Sequence, residues 1–486
     1  MINRLICVLT ALYVAHTSAG GWTVSGSGPA PARDSAAVIR LVDLARSLPG
    51  EFKADVLLRL AEAGKLGSPG DASSLLEEAF IATFSAQERV RLESAVPTGT
   101  SGLEDARTRA LANQLDQLTL ETRALRALAS IDADKARTLE AFVRVDLPRL
   151  DCRDALVFNV DDAYRHLAAF AAAIPDADRF VLVQRYVRAL HSSLQIGPTA
   201  ELIAAVPFAP DERSALLAAF AFEIERLDHD DRTFSAALAR GRLSDRLHRL
   251  AAVSRRQDAD PGALVDAFRM FLDRHLSARR CADGTAAPDR LMAQWFNDDL
   301  RALTALDVPP IVYDERRTRW TGATADRHDD EPGAAYRALW WEIALTLGPS
   351  GPRLGAASPY ASYLKTPEGV VGDVFVWHGA DAPQPQVLYL KATLLQGLLE
   401  YLPRRVFPAL HAIVMGELVA FLAATGQSAE DRVGWFLHVN DLLDYARRAD
   451  KSEREAILQE LARSSSLVMN AYAALERVAP KRAVRS

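Results

Sequence analysis

The sequence predicts an all-α protein: an irregular α-solenoid-like helical array followed by an aromatic, loop-rich helical C-terminal region. Three observations predict it. Apolar residues recur at spacings of three and four over most of the 486 residues, the period of helices with one buried face. Capping residues and Pro or Gly breaks punctuate that period every 10–20 residues. Sustained alternation of apolar and polar residues, the mark of half-buried strands, is confined to one short stretch.

The N-terminus reads as a secretory signal peptide over residues 1–19. Arg4 supplies a positive start, Leu5 to Ala15 an apolar segment too short to span a bilayer, and Thr17-Ser18-Ala19 a small-residue cleavage site. The expected compartment is periplasmic or extracellular. Residues 20–34, rich in Gly, Ser and Pro, read as a flexible linker.

Residues 35–280 read as the helical array. Val38, Leu41, Val42 and Ala45 share a face, ended by Pro49-Gly50; Val56, Leu57 and Leu60 define the next helix over Phe52–Ala63, with Gly64 past its end. Leu75, Leu76, Ala79 and Phe80 define a third over Asp71–Phe84. A long helix is expected over Leu111–Ser130, then one from Ala133 capped by Asp132. Further helices fit Asp161–Ala173, Asp176–Leu194, Asp211–Leu227, Asp231–Val253 and Pro261–Ser277, the last opening on Asp260-Pro261. The spacing of these helices is irregular, so no named repeat applies.

Residues 281–480 differ in composition. Six of the seven tryptophans and eight of the eleven tyrosines lie here, and residues 306–385 carry nine prolines. Long irregular segments of this kind are often functional. A helix is expected over Gly333–Leu347, with Tyr336, Trp340, Ile343 and Leu347 on one face and Trp341 about 100° round from Trp340. Val370 to Trp377 alternates enough for a short strand. Helices resume at Pro385–Leu402, Pro403–Thr425, Ser428–Arg447 and Ser452–Val478, with Ser428 and Ser452 as expected caps. Residues 406–425 are apolar enough to suggest a membrane helix, but Pro408, His411 and Glu417 favour a buried helix of a soluble array.

Composition excludes some classes. The net charge is −6 with acids and bases interspersed, which gives no basic footprint for nucleic acid and no polybasic face for anionic lipid. Fifty of the 57 basic residues are arginine, a bias that carries no function by itself. The nucleotide-binding glycine loops, the GxSxG elbow and HExxH are all missing from the sequence, so no cofactor is implied. Asp228-His229-Asp230-Asp231 and His328-Asp329-Asp330-Glu331 carry metal-ligand types, but each precedes an expected helix, where acids cap and complement the dipole; no metal site is assigned.

The candidate binding residues are aromatic and polar: Trp341, Tyr360, Tyr363, Asp373, Trp377 and His378. Tyr and Trp suit sugar faces, peptides or protein partners, and the same rings equally suit pinning loops onto helices. Asp373 and His378 with Tyr389 are the one acid/base group that hydrolysis would find. Cys152 and Cys281, the two cysteines left after cleavage, are expected to form a disulfide.

The segments SLPGEFKADVLLRLAEAGK with LLEEAF, LDQLTLETRALRAL and LPRLDCRDALV resemble stretches of uncharacterised exported helical proteins of bacteria. The resemblance covers about the first third and implies export and helical architecture, without an activity. The expected function is an exported binding or scaffold protein of the cell envelope with a protein or polymer ligand; the alternative is a hydrolase with its site in the 306–385 loops.

Overall fold

The computed structural model describes residues 32–479 apart from 67, 87–89, 92–111, 146, 148, 150–155, 158, 230–232, 235–242, 282–285, 305–307, 322–333, 349–364, 378–385, 403 and 427–431. The expected signal peptide, most of the expected linker, the 328–331 cluster and the Ser428 cap lie outside the described residues. Among the described residues there are nineteen α-helices of eight residues or more, one short helical turn at Arg301–Thr304 and two short strand pairs.

The first helices follow the apolar period closely. α1 is Ala32–Arg46, so the last three residues of the expected linker are helical. α2 is Gly50–Glu62 and α3 is Pro69–Thr83, where Ser68 accepts the Asp71 N–H and Pro69 occupies the first turn. The expected Leu111–Ser130 helix starts later: Asp116 accepts the Thr119 N–H at 3.0 Å and caps α4, Gln117–Ala129. Gln114 at φ 54° breaks the chain before it. Asp132 caps α5, Ala133–Glu140, as expected.

α6 is Val160–Ala173 and α7 is Asp176–Arg188. α7 ends six residues before Leu194, because Ser192 caps a 3₁₀ turn, Ser193–Gln195, that leads into α8, Ile196–Ala205. Sequence reading missed α8. α9 is Pro210–Arg226, α10 is Leu243–Arg256 and α11 is Gly262–Leu276, with the Gly262 N–H bonded to Asp260 at 2.9 Å. Of the expected Asp231–Val253 helix, α10 is the continuous described part.

The helices from α2 to α11 pack in two rows. α2, α4, α6, α8 and α10 are successive neighbours in one, and α7, α9 and α11 in the other. Strand β1, Val90–Arg91, pairs antiparallel with β2, Leu156–Val157, while β3, Arg279–Cys281, pairs parallel with β4, Arg319–Thr321. Between β3 and β4 lies α12, Ala286–Trp295, continued by a π turn at Phe296–Leu300.

The region past residue 330 departs most from expectation. α13 is Ala334–Thr346. The expected strand at Val370–Trp377 is a helix, α14, Pro367–Val376. Thr366 caps it by accepting the Gly369 N–H at 3.2 Å, and Val370, Val371 and Val374 are buried, a helical spacing rather than an alternating one. α15 is Gln386–Tyr401 and α16 is Pro408–Gly426, five residues later than expected. α17 is Arg432–Arg448. The expected Ser452–Val478 helix is two: α18, Lys451–Arg463, capped by Asp450 rather than Ser452, and α19, Leu467–Val478, capped by Ser466.

Among the described residues α16 alone is long and apolar enough to cross a membrane by length and composition. It packs on α15 and α17, and its His411 is held at 3.0 Å by the Tyr445 hydroxyl.

The two ends of the chain meet. α19 packs against α1 and α2, and Phe52 of α2 lies among Trp435, Phe436 and Tyr472, with ring centroids at 6.4, 5.1 and 6.2 Å. Buried ion pairs join the same surfaces. Tyr472 donates to Asp55 at 2.7 Å, Arg123 to Asp55 at 2.6 Å, and Arg59 to Glu476 at 2.7 Å, while Arg447 grips Glu476 with two nitrogens. Burial alone would raise the Asp55 and Glu476 carboxyls, but their arginine partners hold both below the usual carboxylate range. An open array leaves its first and last helices apart; this one closes first on last.

Candidate functional site

The aromatic residues singled out from sequence divide by orientation. Trp341 on α13 is 64% exposed, whereas Trp377 is 9% exposed and packs on Tyr336 at 6.0 Å. The backbone carbonyl of Trp377, with those of Val374 and Phe375, accepts from the buried Lys391 ammonium, which closes the C-terminus of α14. Trp340 lies against Gly397 of α15, where a Cβ would come within 2.6 Å of its ring, so only glycine admits that packing. Asp373 is a surface carboxylate bonded to Lys365 at 2.7 Å, and Lys365 also reaches Glu342 at 2.9 Å. Tyr389 is buried beside His438, ring to ring at 5.5 Å, so Asp373 and Tyr389 occupy different environments. Tyr360, Tyr363, His378 and Cys152 lie outside the described residues.

The described part of the 228–231 cluster is also committed elsewhere. Asp228 pairs with Arg149. His229 joins His275, Nδ1 to Nδ1 at 2.6 Å, and its Nε2 lies 2.5 Å from the Arg279 carbonyl. The carbonyl only accepts, so Nε2 carries a proton. In the neutral ring the Nδ1 of His229 therefore accepts from the Nδ1–H of His275.

A groove of about 480 Å³ opens between α6, α8 and α10. The helical period lines it: Tyr164, Arg165 and Ala168 from α6; Pro198, Glu201, Leu202, Ala204 and Ala205 from α8; Asp245, Arg246 and Arg249 from α10. Tyr164 is buried and accepts from Gln195 at 3.1 Å; burial pushes its phenol up to about 12, so it stays protonated. Arg246 is the fixed element. Its Nη1 donates to Asp161 at 2.5 Å and its Nε stands 3.3 Å from Glu201. Its side chain lies on Gly197, where a Cβ would sit 2.9 Å from Arg246 Cδ.

The charges around the groove are unevenly matched. Arg246 is neutralised by Asp161 and Glu201, and Arg165 by Asp162. Asp245 and Arg249, one turn apart on α10, make no ion pair among the described residues. Small apolar side chains (Ala168, Pro198, Leu202, Ala205) form the rest of the wall. Among the described residues no His, Cys, Ser or Thr lines the groove, and those that do offer an apolar surface beside fixed charges. Sequence reading missed it because Gly197 and Arg246 are far apart in the chain and α8 was not recognised. The one available signal was a glycine and a proline opening an otherwise apolar helix.

No protein-family model, no curated protein and no solved structure matches the chain.

Proposed function

We propose that this is an exported helical binding protein of the cell envelope that holds a peptide-like ligand in the groove between α6, α8 and α10. The observation that carries this reading is the groove itself: an arginine locked in place by two carboxylates and a glycine, beside an apolar wall and two unmatched charges. Binding sites combine a mostly apolar concavity with a few fixed polar groups in this way. The 306–385 segment supports hydrolysis less well, since Asp373 is tied to Lys365 and Trp377 is turned inward.

The test is equilibrium dialysis of the full chain against a mixture of tripeptides with free termini, with Ala205→Trp to fill the groove. The expected result is retention of a subset by the natural chain and none by the variant. Equal retention by both, or none by either, overturns the reading.

Export and the Cys152–Cys281 disulfide belong to the same proposal. Arg149, three residues before Cys152, pairs with Asp228, and His229 bonds the carbonyl of Arg279, two residues before Cys281. These ties favour proximity of the two segments. Peptide mapping of the natively exported protein is expected to find a mature N-terminus at Gly20 and a linked 152–281 peptide. An intact Met1 overturns export, and two alkylated thiols overturn the bridge.

A further inference from the structure

We infer that the groove recognises a short zwitterionic peptide, its carboxylate on Arg249 and its ammonium on Asp245; the inference rests on the binding reading above. Acids and bases three or four residues apart on a helix face can satisfy each other, as Arg165 does with Asp162, and Arg246 is satisfied from the neighbouring helices by Asp161 and Glu201. Asp245 and Arg249 have the spacing for such a pair, yet each stands exposed at the groove without a partner among the described residues. An anionic ligand would be met by Arg249 but repelled by Asp245, and a cationic one the reverse. A ligand carrying both charges satisfies both groups, and arginine takes a carboxylate through two parallel N–H bonds.

The spacing sets the size. Residues one turn apart have Cβ atoms about 5–6 Å apart, and the arginine adds reach. An extended peptide advances about 3.3–3.6 Å per residue, so two or three residues separate its terminal charges suitably. Ala168, Pro198, Leu202 and Ala205 form an apolar wall for small side chains between those ends. Arg246, already neutralised, holds the helices in register without competing for either terminus.

The test is calorimetric titration of the full chain with three probes: trialanine with both termini free, its N-acetyl form and its C-amide form. Trialanine with free termini is expected to bind at least tenfold more tightly than either blocked form. Arg249→Gln is expected to erase the penalty for the amide, and Asp245→Asn the penalty for the acetyl group. Both residues are exposed, and circular dichroism of each variant checks that it folds. Equal binding of all three probes, abolished by Ala205→Trp, overturns the zwitterion inference while the groove reading stands. Binding of none of the three overturns the inference, and failure of the tripeptide mixture as well overturns the reading with it.

Discussion

Trp340 and Trp341 are adjacent in sequence and opposite in role. Helix geometry turns one about 100° from the other, so Trp340 meets Gly397 while Trp341 faces outward. Trp377 is the inward partner of Tyr336. Trp377→Ala is therefore expected to cost about 3–5 kcal/mol, as large core truncations do. Trp341→Ala is expected to change stability by less than about 0.5 kcal/mol, as surface changes do. Urea denaturation of the two variants checks the pair, and a large loss at Trp341 contradicts its exposed placement.

His166 belongs to the same scale. It is 5% exposed with no hydrogen-bond partner on either ring nitrogen among the described residues, and burial first, then Arg126 and Arg123, lowers its pKa to about 4. In the unfolded chain a histidine titrates near 6.5. The unfolded state therefore binds the proton first as pH falls, so stability drops from about pH 6.5 downwards and the loss is complete near pH 4. The full effect is roughly 3 kcal/mol, at about 1.4 kcal/mol per pKa unit. His275, wholly buried and lowered to about 3 by burial and by His229, acts in the same direction. His166→Leu is expected to flatten the decline in denaturation free energy between pH 7 and 5 and to leave stability at pH 7 no lower. An unchanged slope contradicts a neutral buried His166.

At the scale of the element, α14 shows how a local pattern misleads. Val370, Val371, Val374 and Val376 are strand formers by propensity, and the apolar alternation over 370–377 suggests a strand that Gly372 weakens. The helix forms because Thr366 and Pro367 set its first turn, three valines find a buried face, and Lys391 satisfies three carbonyls at its end. Thr366→Ala is expected to cost about 1 kcal/mol, the usual value of an N-cap. A thermal melt measures it, and no loss means the cap does not hold this helix.

The cap that was legible, Asp132, sits where one side chain and one N–H decide the outcome. At the Asp260-Pro261 start the Asp260 carboxylate takes the Gly262 N–H, but Pro261, expected as the first helical residue, is the N-cap. The boundaries that were misplaced, at Asp116, Asp450 and Ser466, lie where several residues can cap and packing selects among them.

At the scale of the molecule, closure of the first helices on the last depends on charges buried together. Glu476 is 1% exposed and receives both Arg59 and Arg447. Glu476→Gln leaves two guanidinium groups facing a neutral amide, and breaking a buried pair in this way costs about 3–5 kcal/mol. The expected readout is a lower urea midpoint together with faster amide exchange in both α2 and α19. Faster exchange in α19 alone would mean that the two ends are not energetically joined.

The all-α class and most helix positions were determined by the sequence itself, because a periodic apolar face and a cap are local properties of ten or so residues. Closure and the groove were decided only by tertiary structure. Glu51 and Arg432, Asp55 and Tyr472, or Gly197 and Arg246 look like solvated charges, a core ring and a helix-start glycine when read separately. Their pairing depends on how helices far apart in the chain pack, and side-chain spacing along one helix carries no record of its neighbours.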